Sequence, residues 1–336
     1  MRERELLGRL GAAAVSVRRA LITGIGGQDS SYLAELLCAE GLEVHGTVRE
    51  PTAAATPNLD GVRERIHLHF GDLIVPGTLS AIVAEVAPEE VYHLAAPAFV
   101  PHSWRALADT LRGVAAVSAE LIDAVRDHVP GARTVLASTR EIFGPDAPSP
   151  QREDTICAPN SPYGVAKLAV HQLAGVVRGH DGLHLSSAIL FNHESPRRQP
   201  HFITRKVTAA AAAISLGRQQ ELLVGDTAAV RDWSHARDLV AGMRLMAAAE
   251  EPGDYVLASG VGHTVSELIE LAFSALGLEA ADHVRVDPAL VRAPEGEPAV
   301  GDPLLARERL GWSTQTSFEQ LVAEMVAADV AALRRP

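Results

Sequence analysis

Ala20-Leu21-Ile22-Thr23-Gly24-Ile25-Gly26-Gly27-Gln28-Asp29-Ser30-Ser31 is the stretch that decides the fold. Ala20–Thr23 reads as a short buried strand. The glycines that follow make a tight turn, and Tyr32, Leu33, Leu36 and Leu37 then recur at the i, i+3, i+4 spacing of a helix. Glycine in such a turn lets backbone N–H groups approach a pyrophosphate at the helix amino terminus, where the dipole favours anions. A glycine turn alone is a weak signal, because many strand–helix turns use glycine for geometry only. Here it follows the first strand, which is where a dinucleotide-binding fold carries it. The third glycine of the usual pattern is Ser30, which is small enough to pack there.

Outward from that turn, short apolar runs alternate with helical periodicity. Glu43–Val48, Ile66–Phe70, Val91–Ala95, Arg133–Ser138 and His184–Phe191 read as strands. Trp104–Val129 and Tyr163–Arg178 read as helices, and Val207–Leu216 is an alanine-rich helix candidate. Apolar runs of this length between long helices imply parallel strands buried on both faces. The fold class is therefore α/β, a doubly wound parallel sheet with ligands at the carboxyl ends of its strands. After Phe191 the rhythm breaks: residues 192–201 are polar and rich in proline and arginine, and 293–303 form a second irregular stretch. The chain closes with Thr316–Arg335, whose Thr316-x-x-Glu319 start predicts a capping box on an amphipathic helix. This divides the chain into a tail (1–18), a dinucleotide-binding part (19–190, with a return segment at about 227–260) and a smaller substrate-binding part (191–226 and 261–336).

The chain has 336 residues, 47% apolar and 21% charged, the balance of a folded, soluble protein. Acidic residues outnumber basic ones by 42 to 30, so the net charge of −12 opposes a nucleic-acid or anionic membrane partner. Cys38 and Cys157 make neither a disulfide framework nor a thiolate zinc site, so no metal is expected and a reducing compartment is. No apolar run approaches the roughly 18–20 residues of a membrane helix. Arg9 interrupts any signal-peptide core, which makes the tail a frayed end and the expected location the cytoplasm.

The second strand selects the dinucleotide. An NAD site places a carboxylate at its end to accept from the ribose 2′-hydroxyl. Here Val48 stands there, followed by Arg49, and arginine can bind a 2′-phosphate that a carboxylate would repel. NADP is expected in preference to NAD, with Glu50 partly offsetting the attraction. Asp72, just beyond the third strand, either accepts from the adenine amino group or initiates a turn. The expected cofactor set is Gly24, Gly27, Gln28, Asp29, Arg49, Asp72, Leu73 and Leu94, with Tyr163 and Lys167 at the nicotinamide end.

Only two lysines exist, and one of them, Lys167, lies four residues after Tyr163 in Ser161-Pro162-Tyr163-Gly164-Val165-Ala166-Lys167. Residues four apart on a helix share a face, which brings the ammonium near the phenol. A phenol titrates near pH ~10, so work at neutral pH needs a shift of about three units, roughly 4 kcal/mol. A neighbouring cation supplies about one to three units. Lysine together with a positively charged nicotinamide ring would make Tyr163 a base for an alcohol. The fifth strand ends in Ser138-Thr139-Arg140-Glu141. Thr139 offers a hydroxyl to the oxygen being oxidised. Glu141 adds a carboxylate that simple alcohol oxidation does not need but elimination beside a ketone does.

These residues in this order resemble the GDP-mannose 4,6-dehydratase family of the extended short-chain dehydrogenase/reductase superfamily. Ala20–Leu33 is similar to the family's A-L-I-T-G-I-T-G-Q-D-G-S-Y-L, Ala137–Gly144 to A-S-T-S-E-L-Y-G, and Ser161–Lys167 to S-P-Y-G-V-A-K. Leu190–Arg198 reads L-F-N-H-E-S-P-R-R, the most family-specific segment, and Arg231-Asp232-Trp233 with His235 matches R-D-W-x-H. The resemblance implies that Tyr163, eased by Lys167, deprotonates a sugar 4-hydroxyl while the C4 hydride passes to NADP. Thr139 would steady that oxygen, and Glu141 would take the C5 proton and assist loss of the C6 hydroxyl. The hydride would then return to C6. It also implies that Asn192, Glu194, Arg197, Arg205, Lys206, Arg231 and Arg292 hold a nucleotide diphosphate sugar, although ordinary surface charge is the alternative for any one arginine.

The chain departs from the family in three places. Pro97-Ala98-Phe99 replaces a polar Q-S-H, Arg140 replaces a serine and is expected to pair with either Glu141 or a substrate anion, and the loop after Glu50 is shorter. The first two bear on which sugar is accepted. The third concerns a loop that helps tetramers share cofactor sites in the family, so a homodimer is expected here, with a tetramer as alternative. Two other functions remain open at this level. One is a decarboxylase or 4-epimerase of the same superfamily, in which Arg140 would serve a substrate carboxylate. The other is a catalytically silent NADP-binding sensor.

Overall fold

The structure, a computed structural model, describes residues 17–51, 56–291 and 298–334. Among the described residues, twelve strands follow one another: β1 (Arg19–Thr23), β2 (Glu43–Val48), β3 (Ile66–Phe70), β4 (Glu90–His93), β5 (Arg133–Ala137), β6 (Leu185–Leu190), β7 (Asn192–Glu194), β8 (Leu222–Val224), β9 (Val230–His235), β10 (Asp254–Leu257), β11 (Gly262–Thr264) and β12 (Val284–Val286). Seven form one parallel sheet in the order β10-β6-β5-β4-β1-β2-β3. The order reverses at β1, between β2 and β4, and a doubly wound sheet opens its ligand crevice at that point.

The strand interiors are apolar because both faces are covered. On one face, helices Gln28–Ala39 and Ala236–Ala248 pack together, with Leu33, Leu37, Val240 and Met243 in the same core. On the other, Leu79, Val83, Leu121, Val125 and Val170 pack from helices Thr78–Val86, Val117–His128 and Pro162–Asp181. A third core, around Val207, Trp233, Leu268, Phe273 and Met325, joins helices Ile203–Ser215, Val265–Ser274 and Phe318–Arg334. Two small sheets border it, β11-β9-β7 and β12-β8. No helix among the described residues is long and apolar enough to cross a membrane.

Four local expectations need correction. The fourth strand stops at His93 rather than Ala95, because the Thr23 hydroxyl accepts the N–H groups of Leu94 (3.0 Å) and Ala95 (3.1 Å) and pulls them out of the ladder. The helix expected over Trp104–Val129 starts at Leu107 and carries a π-helical turn, Arg112–Ala116. That turn contains Gly113, where an added Cβ would lie 3.6 Å from Pro97. Residues 192–201 are not wholly irregular, since Asn192–Glu194 pairs with β9. The final capping box is one residue out of register. Ser317 Oγ accepts from Gln320 N (3.3 Å) and Gln320 Oε1 accepts from Ser317 N (2.9 Å), while Thr316 N–H is taken by Asp238.

Candidate active site

A cleft of about 1030 Å³ opens at the carboxyl ends of β1, β2 and β4. Gly24 has φ +68°, and an added Cβ would lie 3.1 Å from Ala95, so glycine is needed both for the backbone and for the close approach. The helix that follows starts at Gly27 without any side-chain cap, which leaves its first N–H groups for an anion. Behind this turn runs a buried chain of hydroxyls and imidazole. Ser118 Oγ donates to Val114 O (2.7 Å) and lies 3.0 Å from His93 Nε2, and His93 Nδ1 lies 2.9 Å from Thr23 Oγ1. Burial, reinforced by the Lys167 charge, pushes His93 down to about 3, so the ring is neutral. With Nε2 protonated, every donor in the chain meets an acceptor.

The predicted cofactor residues line this cleft apart from Tyr163 and Lys167. Arg49 and Asp72 face each other 3.9 Å apart, so a phosphate at Arg49 would compete with Asp72 for the guanidinium. Gln28 and Asp29 also act as ties. Gln28 Nε2 donates to His193 O (3.1 Å), and Ser195 Oγ donates to Gln28 Oε1 (2.8 Å). The Asp29 carboxylate meets His193 Nε2 at 2.8 Å. Burial alone would raise Asp29 and lower His193. Their mutual attraction outweighs it, holding Asp29 below and His193 above its ordinary range.

At the end of β5, the structure gives each residue of the Ser161–Gly164 stretch a local contact. Ser161 caps the helix by accepting from Gly164 N (3.0 Å), and Pro162 occupies the first turn, where no N–H is needed. Gly164 allows the helix to meet the turn after β5, since an added Cβ would be 2.6 Å from the Glu141 carbonyl oxygen. Thr139 starts that turn and its Oγ1 accepts from Glu141 N (3.3 Å). Lys167 Nζ donates to Ala137 O (2.7 Å) and lies 5.9 Å from the centre of the Tyr163 ring. Thr139, Glu141, Tyr163 and Lys167 thus converge on the end of β5. They do not line the large cleft itself, although Leu73 and Ala96, which do, pack against the same apolar core that holds Tyr163.

The electrostatics differ from the simple Tyr–Lys expectation. Burial and the Glu141 charge push the Tyr163 phenol up, with Arg198 pulling the other way. Burial pulls Lys167 down to about 8. Burial thus favours the neutral form of both groups, and positive charge entering the crevice would draw the phenol back down. Beside it, Arg140 donates from Nε (3.0 Å) and Nη2 (2.8 Å) to the same oxygen of Glu141, Oε1.

The predicted substrate residues are scattered. Arg197 lines the cleft, donates to Ser31 Oγ (3.0 Å), pairs with Glu35 (2.5 Å) and stacks 3.9 Å over Tyr32. Glu194 is buried and pairs with Arg198 (3.1 Å), while the buried Asn192 Oδ1 has no hydrogen-bond partner among the described residues. Arg205 is spent on Asp329 (2.6 Å), Lys206 donates to Leu223 O (2.7 Å), and Arg231 donates to Val230 O (2.7 Å). None of these last three lines the cleft, and Arg292 lies outside the described residues. Arg198 and Phe202 were not singled out from sequence. Both line the cleft, with the Arg198 guanidinium 3.4 Å over the Phe202 ring. Phe99, where the family pattern has a polar residue, packs on His201 (4.3 Å) and Phe202 (5.9 Å).

Residues 21–325 match the family described as GDP-mannose 4,6 dehydratase. The chain belongs to that family. GDP-mannose 4,6 dehydratase 2 of Arabidopsis thaliana is 40% identical over 328 residues, covering 94% of this chain and 88% of the relative. The human GDP-mannose 4,6 dehydratase is 38% identical, covering 94% of this chain and 92% of the relative. Among solved structures, the UDP-glucose 4-epimerase of Thermus thermophilus, in complex with NAD, superposes with a TM-score of 0.80 at 27% identity, covering 94% of this chain and 99% of that one. As a member of the GDP-mannose 4,6-dehydratase family the chain is an enzyme, a hydro-lyase on an extended short-chain dehydrogenase/reductase fold, acting as a nucleotide-sugar 4,6-dehydratase. Its nicotinamide cofactor has a fitting seat in the Gly24 turn and the uncapped helix start.

Proposed function

We propose that this enzyme converts GDP-mannose to its 4-keto-6-deoxy sugar with NADP as the cofactor. The observation that carries the reading is the meeting of the Tyr163 helix and the Thr139–Glu141 turn, locked together at Gly164. Gly24, Gly27 and the first turn of the helix would hold the pyrophosphate, and Arg49 the 2′-phosphate. NADP, when bound, would supply the acceptor and donor for the hydride exchanged with C4 and C6 and would lend positive charge while oxidised. Tyr163 takes the proton of the 4-hydroxyl as the C4 ketone forms, and Thr139 donates a hydrogen bond to that oxygen. The Glu141 carboxylate takes the C5 proton. The C5–H electron pair becomes the C5–C6 double bond as the C6–O bond breaks, and the same proton leaves with the hydroxyl as water. A proton added at C5 after hydride return balances the one taken from O4. Residues 191–226 and 261–336 supply the substrate side on this reading, with Arg197 and Arg198 the basic groups nearest the cleft.

Incubation with NADP and a panel of GDP-, UDP-, dTDP- and CDP-sugars tests this by product mass. Loss of water from GDP-mannose is the expected result. Loss of carbon dioxide, an isomer of unchanged mass, or no turnover would refute it. The Arg140–Glu141 pair weighs against decarboxylation, because Nε and Nη2 of Arg140 are taken by Glu141 and fewer donors are left for a substrate carboxylate. For the cofactor, Arg49→Ala is expected to weaken NADP roughly 5- to 30-fold while leaving NAD unchanged, since a charge-assisted bond from a largely exposed arginine is worth about 1–2 kcal/mol. Equal losses for both dinucleotides would remove Arg49 from this role. A homodimer fits the exposed apolar positions Trp104, Leu107 and Leu111, with Val165 and Val176 on the adjoining helix. Light scattering that finds a monomer would exclude it.

A further inference from the structure

We propose that Arg140 is a positioning residue for Glu141, holding one carboxylate oxygen so that the other alone is presented to the sugar's C5 and C6. The proposal rests on the proton-transfer role given to Glu141 above. The backbone of Glu141 is already fixed on both sides. Its N–H is taken by Thr139 Oγ1 (3.3 Å), and its carbonyl oxygen lies against Gly164, where an added Cβ would stand 2.6 Å away. What remains free is the side chain, with three torsions. Arg140 removes that freedom by donating from both Nε (3.0 Å) and Nη2 (2.8 Å) to Oε1. Both side chains are mostly buried, 18% and 23% exposed, so water competes poorly for the pair.

Both guanidinium donors converge on one oxygen, and no bond from Arg140 reaches Oε2. Oε2 is therefore the oxygen that can receive the C5 proton and pass it to the leaving hydroxyl. A compact lysine ammonium would supply charge but not two donors in a fixed plane.

The test uses the NADP-loaded full chain with GDP-mannose, or with the panel member that loses water, in wild type, Arg140→Ser, Arg140→Lys and Glu141→Gln. Freeing a glutamate side chain that must be ordered for reaction costs about tenfold in rate. Arg140→Ser is expected to lower kcat for water loss about that much with KM within twofold. C4 oxidation then outruns elimination, so the near-ultraviolet absorbance of reduced nicotinamide builds up during turnover. Arg140→Lys is expected to stay slow and show the same absorbance. A merely structural loss would lower both steps together and leave no build-up. Arg140→Ser with unchanged or faster water loss overturns the proposal, as does full recovery in Arg140→Lys. Glu141→Gln that still dehydrates at the wild-type rate overturns the reading beneath it as well. An inactive Glu141→Gln beside a normal Arg140→Ser overturns the positioning role alone.

Discussion

Gly164→Ala sets two physical effects against each other. Gly164 lies inside helix Pro162–Asp181, where alanine is worth about 0.8–1 kcal/mol over glycine by propensity, so a local view expects the variant to be more stable. The tertiary view expects the opposite. The new Cβ would stand 2.6 Å from the Glu141 carbonyl oxygen, 2.9 Å from Pro159 Cβ and 3.2 Å from Ser161 Oγ, whereas real Cβ atoms essentially never come under 3.0 Å. The oxygen belongs to the backbone, so the helix start and the turn must separate by several tenths of an ångström. Overpacking of this kind costs about 1–3 kcal/mol, which leaves a net loss of roughly 0–2 kcal/mol after the propensity gain. Catalysis suffers more than stability. The displacement acts directly between Tyr163 and Glu141, and if a 1 Å misplacement costs about 100-fold, a shift of this size costs roughly five- to tenfold in kcat. Urea unfolding and steady-state kinetics on the one purified variant give both quantities. A Gly164→Ala protein that is more stable and fully active would refute the contact and the coupling inferred from it.

Two further outcomes follow from buried charge. Lys167 sits at about 8 rather than 10.5, so between those values the unfolded chain holds a proton that the folded one has lost, and stability rises with pH across that window by roughly 2–4 kcal/mol. Lys167→Met should abolish that rise when unfolding free energies are compared from pH ~8 to ~10, and an identical slope in both proteins would contradict the assignment. Asp232 is fully buried and accepts from Ser259 N and Oγ, Gly260 N and Gly301 N, tying β9 to two distant loops. Asp232→Ala should cost about 3–5 kcal/mol in urea unfolding and Asp232→Asn less, because one acceptor oxygen remains; a loss under ~1 kcal/mol would show that the loops hold without it.

The parallel sheet was legible because strands buried on both faces leave uninterrupted apolar runs. β2 and β3 coincide with the ranges read from sequence, and the other core strands agree within a residue or two at their ends. The seventh strand, Asp254–Leu257, was legible only as part of a returning segment. It is four residues long, and its partner β6 lies more than sixty residues earlier. Ser161-Pro162-Tyr163-Gly164 was legible for a different reason. Its residues answer local demands, for a cap, a first turn, a close contact and the phenol to which a base role is proposed, and such demands are written within a few positions of one another.

The arginines expected from sequence to bind anions follow the opposite rule. Arginine supplies all but two of the thirty basic residues, so residue type hardly distinguishes a ligand from a strut. What distinguishes them is the nearest carboxylate, and that is set by tertiary structure. Asp329 takes Arg205 from 124 residues away, removing it from the cleft. Glu194 is only four residues from Arg198, yet that guanidinium also stacks on Phe202 and so remains on the cleft wall. Arg140 shows the limit of reasoning from spacing. An adjacent pair such as Arg140-Glu141 has no preferred geometry in an extended chain. Here the Thr139 cap and the Gly164 contact fix the glutamate backbone, so the arginine's two donors can settle on one oxygen. Its chemistry is therefore a property of the turn's neighbours, and they became visible only once the helix carrying Tyr163 was in place.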